Sequence, residues 1–171
     1  MAAIRRITRL TPPQHAELCA LLLDSVQSGA SVGFLSPLSA EEAAAYWLSV
    51  EDAGATGTIL FIAEDQGTIV GSVQLVPCTR PNGRHRAEIR KLFVLAAHRG
   101  RGIGTALMAT AENHAGCIGR TLLMLDTHEG SKAESLYIRL EWQRVGVIPD
   151  YAASPDGSLH GTTIFYKRID R

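Results

Sequence analysis

Gly100, Gly102 and Gly104 stand at alternate positions directly behind the apolar run Leu92-Phe93-Val94-Leu95, and helical periodicity follows them. A buried strand that turns this quickly into a helix leaves the helix's first N–H groups unpaired, at the positive end of its dipole. Such a mouth suits an anion, phosphate oxygens above all. Glycine lets the main chain approach the ligand closely and take positive φ. Arg99 and Arg101, interleaved with the glycines, can add charge-assisted bonds. The stretch Arg99, Gly100, Arg101, Gly102, Ile103, Gly104 and Thr105 is therefore read as a phosphate-binding loop.

Two familiar nucleotide loops do not fit. A P-loop needs a Lys after its last glycine, and Thr105 follows Gly104. A dinucleotide fingerprint needs a third glycine at that same position. Asp126 does lie near the spacing of the ribose-binding acid, but that fingerprint follows the first strand of a parallel unit. Here several strands precede the loop, two of them joined as a hairpin.

The rest of the chain supplies that context. Ile4 to Leu10 reads as a short strand. Thr11 is an N-cap with Pro12 at the first helical position, and Leu18, Cys19, Leu22, Leu23 and Val26 recur at helical spacing up to Gly29. Ser39-Ala40-Glu41-Glu42 has capping-box spacing and opens a second helix through about Leu48. Thr58 to Ala63 and Thr68 to Val76 are β-rich runs joined by Glu64-Asp65-Gln66-Gly67, a hairpin. Further strands are expected over Ala87 to Leu95 and Arg120 to Asp126, around a helix from about Gly102 to Ala115. Ser131-Lys132-Ala133-Glu134 is a second capping box, starting a helix to about Leu140. Two last strands, Gln143 to Val147 and Thr163 to Ile169, flank a turn-rich loop. The order β-α-α-β-β-β-α-β-α-β-β predicts a mixed sheet with helices packed on it, one domain over residues 1–171.

Composition narrows the function classes. Seventeen Lys and Arg balance seventeen Asp and Glu, and 46% of the 171 residues are hydrophobic. A disordered chain, a collagen-like chain and a protein that coats nucleic acid are excluded. Cys19, Cys78 and Cys117 form no CxxC pair and read as free thiols in a reducing compartment. No apolar h-region follows the N-terminus and no stretch is long enough to span a membrane. A soluble, cytoplasmic protein with no membrane or nucleic-acid partner is expected.

Charge is unevenly placed along the chain. No Lys or Arg lies between Arg9 and Arg80, where eight carboxylates fall: Glu17, Asp24, Glu41, Glu42, Glu51, Asp52, Glu64 and Asp65. Arg80, Arg84, Arg86, Arg90, Lys91, Arg99 and Arg101 then surround the single acid Glu88. The two stretches are either solvated faces or a basic seat for an anionic cofactor beside an acidic approach for a cationic substrate.

The pattern Arg99-x-x-Gly102-x-Gly104 behind a Leu-Phe-Val strand resembles the acetyl-CoA-binding loop of the GNAT-type N-acetyltransferase superfamily, whose element order this chain matches along most of its length. Several segments are similar to the tabtoxin-resistance branch of that superfamily. They are Gly29-Ala30-Ser31-Val32-Gly33-Phe34, Pro81-Asn82-Gly83, Arg86-Ala87-Glu88, Lys91-Leu92, Leu125-Asp126-Thr127, Gly130-Ser131 and Pro155-Asp156-Gly157. The resemblance implies the α/β GNAT acyl-CoA N-acyltransferase fold and acetyl-CoA as cosubstrate. It implies a small-molecule primary amine as acceptor, with toxins or antimetabolites of the tabtoxinine-β-lactam type among the candidates. A protein N-terminus or a polyamine stays open as acceptor, and monomer and homodimer stay open as assembly.

Acetyl transfer to an amine needs a held cofactor, a neutral amine, a stabilised oxyanion and a protonated thiolate. The resemblance assigns the pantetheine arm to main-chain groups of Leu92, Phe93 and Val94, at a local splay of that strand from its neighbour. It assigns the diphosphate to the N–H groups of Arg99 to Thr105. Glu88 and Asp126 match the carboxylates that would take the amine's proton, and Tyr137 matches the tyrosine that would protonate the leaving thiolate. Salt bridging of Glu88 to Arg86 or Arg90, an Asx turn at Asp126 and simple packing of Tyr137 are the competing readings. Gly130 stands where many relatives carry Asn and Glu141 where Gly is usual, so the contacts of that helix with pantetheine stay open, with Ser131 a candidate to supply one. Ser31 and Phe34 would lie on the acceptor side, between the two helices that wall it.

Other classes fit less well. Gly29-Ala30-Ser31-Val32-Gly33 matches the nucleophile elbow of serine hydrolases, with Asp126 and His160 following in the required order. That elbow must leave a strand and enter a helix, whereas here a helix precedes it and a loop with Pro37 follows. Asp126, His128 and Glu129 are adjacent on a presumed loop with no distant partner pair, so no metal site is expected. A non-catalytic acyl-CoA sensor would keep the glycine loop but has no need of Glu88, Asp126 and Tyr137 together.

Overall fold

The computed structural model describes residues 2–55 and 57–169. Seven strands, β1 (Ala3–Ile7), β2 (Ile59–Asp65), β3 (Thr68–Pro77), β4 (Arg86–Val94), β5 (Leu122–His128), β6 (Gln143–Ala153) and β7 (Leu159–Arg168), form one sheet in the order β1-β2-β3-β4-β5-β7-β6. Every neighbouring pair is antiparallel except β4 and β5, which are parallel. Four helices, α1 (Pro12–Gln27), α2 (Ala40–Ala55), α3 (Ile103–Cys117) and α4 (Lys132–Arg139), cover the two faces. The expected mixed sheet and element order are found.

Each face has its own core. Leu18, Leu21, Leu22 and Val26 of α1 and Ala43, Trp47 and Val50 of α2 pack on Leu60, Ile62, Ile69 and Phe93. On the other face Ile103, Leu107, Met108, Ala111 and Ala115 of α3, with Tyr137 of α4, pack on Phe61, Val73, Ile89, Leu123 and Phe165. Strand β2 is covered on both sides, which is why Ile59–Ala63 is apolar without alternation.

Local signals explain most boundaries. The Gln14 side-chain oxygen accepts the Thr11 N–H (3.0 Å) at the start of α1. Ser39 and Glu42 form the reciprocal capping box of α2 at 3.1 and 2.9 Å. The second box differs from expectation. Ser131 Oγ accepts the Glu134 N–H at 3.2 Å, but the Glu134 carboxylate reaches back to the Gly130 N–H, one residue beyond the cap. Gln66 and Gly67, with φ of 50° and 81°, make the two-residue turn of the β2–β3 hairpin, where positive φ at both positions matches the strand twist.

Some lengths depart from the reading. Strand β1 stops at Ile7, short of Leu10, and α2 continues past Leu48 to Ala55. Strand β5 runs through His128, two residues beyond the expected end at Asp126, so His128 lies on the strand, where a loop was expected. The last two strands are longer than Gln143–Val147 and Thr163–Ile169, and the loop between them is correspondingly short. Pro149 and Asp150 read as turn residues, but β6 is an edge strand, where a missing N–H costs no ladder bond. The register shift between Ile148 and Ala152, with Asp150 at φ 50°, absorbs them as a bulge.

Candidate active site

The site begins with an irregularity in β4. Ser72 faces Phe93 and Gln74 faces Arg90, so β4 carries one residue more than β3 between these pairs. Lys91, inside this bulge, has φ 54°. The extra residue reverses the alternation of side chains. Ala87, Ile89, Leu92 and Val94 all meet the α3 core, while Phe93 turns to the α1–α2 core. Sequence alternation alone does not show this.

Beyond the bulge the sheet opens. Strands β4 and β5 pair only over Arg86–Glu88 and Leu122–Met124, although β4 runs to Val94 and β5 to His128. Leu95 N–H donates to Val70 C=O (3.0 Å), so by the alternation of an antiparallel ladder the main-chain groups of Val94 and Leu92 point away from β3, into the gap. This is the splay expected beside Leu92, Phe93 and Val94. Phe93 itself is buried and main-chain-paired toward Ser72.

The glycine loop closes one end of the gap. A single helical turn, Ala96–His98, leads to Gly100 and Gly102 at φ 77° and 79°, and Gly102 is the N-cap of α3. The first α-helical bond runs from Ala106 N–H to Gly102 C=O (3.0 Å), leaving the N–H groups of Ile103, Gly104 and Thr105 without helical acceptors. A side chain at Gly100 or Gly102 would meet nothing within 4 Å, so the loop is open on its outer side. These features fit a diphosphate.

Arg99 is used inward: Nε donates to Val94 C=O (2.9 Å) and Nη2 to Ser28 Oγ (2.8 Å), with Asp24 at 3.8 Å. Asp24 also accepts the Ala96 N–H (2.9 Å), clamping the loop to the end of α1. Arg101 stays exposed. Glu17, Glu42, Glu51 and Glu64 of the acidic stretch are likewise engaged in bonds within the fold, to Ile69 N–H, Ser39, Leu10 N–H and Arg5.

Two carboxylates lie beside the gap on the α1–α2 side. Glu88 is in register with Met124, and Asp126 follows Met124 by two residues on the same face. Glu88 is ion-paired to Arg90. Asp126 has its pKa raised, first by desolvation and then by the neighbouring negative charge of Glu88, against the opposing pull of Lys91 and Arg90. Asp126 is itself exposed to solvent, so the desolvation reflects the crowding of neighbouring groups rather than enclosure. Tyr137, on α4, is 6% exposed and packs near Trp142 and Phe165. Burial, and secondarily Asp126, push its pKa well above the ordinary phenol value. Ser131, on the same helix, serves as its N-cap and lies 3.3 Å from Thr127 Oγ1.

The acceptor-side wall is the segment between α1 and α2. Ser31 Oγ and His160 Nε2 are 2.8 Å apart, and Lys91 Nζ donates to Val32 C=O. Phe34 packs edge-on to Tyr46 at 5.3 Å, with Lys91 Nζ 5.8 Å from its ring centre. Gln74 donates to the Tyr46 hydroxyl (2.7 Å), whose pKa burial pushes up to about 12. Beside this wall the α1–α2 face of β5, β7 and β6 carries no helix among the described residues. An open trough of about 590 Å³ lies there, lined by Met124, Val145, Ile164 and Tyr166, and it runs from Met124 toward Thr121 and His85 at the start of β5, away from Asp126. Tyr46 and Gln74 carried no motif and reach the site through helix packing and strand pairing distant in sequence, while Arg90, His128 and His160 figured in the sequence only in the competing ion-pair, metal and hydrolase readings.

Comparison with known proteins matches this geometry. Residues 23–142 match the profile of the acetyltransferase (GNAT) family. An uncharacterized N-acetyltransferase from the hisH-hisA intergenic region of Azospirillum brasilense is 30% identical over 133 residues, 77% of this chain and 78% of that protein. An N-acetyltransferase from Staphylococcus aureus Mu50 superposes with a TM-score of 0.82 at 17% identity, over 99% of both chains. A phosphinothricin acetyltransferase from Sinorhizobium meliloti, solved in complex with acetyl-CoA, superposes with a TM-score of 0.79 at 18% identity, over 98% of this chain and 88% of that one. The gap beside β4, the open mouth of α3 and these matches agree: the chain belongs to the acetyltransferase (GNAT) family of N-acetyltransferases.

Proposed function

We propose that the protein transfers the acetyl group of acetyl-CoA directly to the primary amine of a small zwitterionic molecule. The observation that carries this reading is the β4–β5 gap, with unpaired N–H groups of α3 at one end and Asp126 and Tyr137 beside it. In this reading Ile103, Gly104 and Thr105, with Gly100 and Gly102, hold the diphosphate on main-chain donors. Leu92 and Val94 pair with pantetheine as an added strand would. Acetyl-CoA supplies the activated acyl carbon.

Asp126 is the favoured base. An alkylammonium with a pKa near 10 must lose a proton before it can attack. A carboxylate with a raised pKa is better matched to that task than one held by an arginine, and Glu88 is so held. Glu88 then acts on Asp126 by like-charge repulsion. Tyr137 stays a phenol across the working pH range and keeps its O–H to donate. Its raised pKa lies above the ordinary thiol value of about 8.5, so complete proton transfer to a thiolate would run uphill. A hydrogen bond to the departing sulfur fits better, with the proton following from the acylated amine.

Carboxylates and cations meet on one wall, Asp126 and Glu88 beside Arg90 and Lys91. This supports an acceptor carrying both an amine and an acid group, such as an amino acid or an amino-acid-like antimetabolite. The resemblance to the tabtoxin-resistance branch points the same way. Calorimetry with coenzyme A, followed by a mass-spectrometric screen of amino acids, polyamines and peptide N-termini with acetyl-CoA, tests the reading. Binding with acetylation of a zwitterionic amine is expected. Binding without acetylation of any amine would make the protein a sensor, and no binding would overturn the site.

A further inference from the structure

The Ser31–His160 pair has the geometry of an activated hydroxyl. His160 Nδ1 lies 2.9 Å from Gly161 C=O, which can only accept, so Nδ1 carries the ring hydrogen. As a neutral imidazole the ring then presents a bare Nε2 to Ser31 Oγ, 2.8 Å away, and the serine donates to it. His128 stacks on His160 with ring centres 3.7 Å apart and planes 7° apart, which fixes the imidazole's orientation. Desolvation and the adjacent His160 hold the His128 pKa down, which favours the neutral form of His128 in the stack. A serine hydroxyl hydrogen-bonded to a fixed, unprotonated imidazole nitrogen is the working unit of nucleophilic serines.

The pair also borders the place of transfer. His128 follows Asp126 by two residues on the same face of β5, about 7 Å along the strand. Val32, next to Ser31, is held by Lys91 from within the β4 bulge. Ser36 N–H donates to Pro155 C=O (2.8 Å), so the segment is fastened on its other side as well. The hydrolase pattern is incomplete: His160 has a carbonyl and no carboxylate behind it, and Ser31 follows a helix. What remains is a two-residue nucleophile beside a thioester seat.

We propose that Ser31 is itself an acetyl acceptor. With no amine in the site, Ser31 Oγ bonds to the acetyl carbon of acetyl-CoA and the carbon–sulfur bond breaks. His160 Nε2 takes the hydroxyl proton and passes it to the departing sulfur. The products are O-acetyl-Ser31 and coenzyme A. This inference rests on the acetyl-CoA site proposed above, and its test separates the two.

The full chain is incubated with acetyl-CoA alone and analysed by intact mass and peptide mapping, with and without hydroxylamine, which cleaves esters and spares amides. The expected result is one acetyl group on the peptide containing Ser31, removed by hydroxylamine and absent from Ser31→Ala. His160→Gln keeps a hydrogen-bonding side chain but no base, and should slow the labelling by about 100-fold, the lower end of general-base contributions. Calorimetry with coenzyme A runs in parallel. Binding with Ser31 unmodified overturns this inference and leaves the transferase reading standing. Labelling of Ser31 at an equal rate in His160→Gln reduces it to chemical acetylation and also overturns it. Should His160→Gln not fold, a hydroxylamine-sensitive label on Ser31 of the folded wild type that is absent from the denatured chain supports the inference, and equal labelling of both overturns it. No coenzyme A binding removes both readings.

Discussion

Replacing Gly102 by alanine isolates what the glycine loop contributes. Gly102 sits at φ 79° as the N-cap of α3, and an added Cβ would meet nothing within 4 Å. The cost is therefore conformational, about 1–2 kcal/mol for an L-residue in the left-handed region. If the loop keeps its shape, that strain appears as a Tm lower by about 2–8 °C for a chain of this size. If the loop relaxes and recovers its shape only around the ligand, the same energy appears as about 5–30-fold weaker binding of coenzyme A. Gly104→Ala is the internal comparison. Its Cβ would lie 3.4 Å from Leu136 Cδ2 and 3.9 Å from Leu92 and Val94, in ordinary contact. Alanine there gains up to about 1 kcal/mol of helix propensity, so its Tm should stay level or rise. Thermal melts and coenzyme A calorimetry on both variants measure this. Equal losses in the two variants, or no change in either property of Gly102→Ala, would refute the argument from backbone conformation.

Tyr137→Phe should lower turnover far more than coenzyme A affinity, since it removes a donor at the sulfur and little packing; equal losses in both would remove that role. The rate of acetyl transfer should fall on the acid side at a pH above the ordinary carboxylate range, because Asp126 must be ionised and its pKa is raised. In Asp126→Asn that limb should disappear and the rate should climb with pH toward the amine's own pKa, which stopped-flow or thiol-release profiles would show. A raised carboxylate pKa also means that ionising Asp126 opposes folding. Asp126→Asn should therefore melt higher than wild type at neutral pH, with the difference vanishing below about pH 4, where the carboxyl is protonated in both folded and unfolded states. Glu141→Gly should raise Tm by a few degrees, because Glu141 sits at φ 62° just past α4, where glycine is at ease; an unchanged melt would show that Glu141 carries its strain without cost.

Much of this architecture was legible because its signals are local. The capping residues Thr11, Ser39 and Ser131, the turn at Gln66-Gly67 and the glycines of the α3 mouth each act within a few residues of themselves, so short-range sequence contains their cause. Gly102 at the helix mouth and the order of elements likewise follow from periodicity and backbone freedom. The length of β6 was not legible: Pro149 and Asp150 carry turn chemistry, and only its place at the sheet edge lets a bulge hold them within a strand.

The candidate site was legible only in part. Glu88, Asp126 and Tyr137 were identified by their likeness to a family pattern, and the choice between the two acids depended on a neighbour, Arg90, claiming one of them. Sequence alone determined the segments, their order and the glycine-rich mouth of α3, since these arise from interactions along the chain. Tertiary structure decided the Lys91 bulge, the parting of β4 from β5 and the meeting of Ser31 with His160, 129 residues apart. Those depend on which strands pair and where pairing stops, a competition among distant surfaces that no local pattern records.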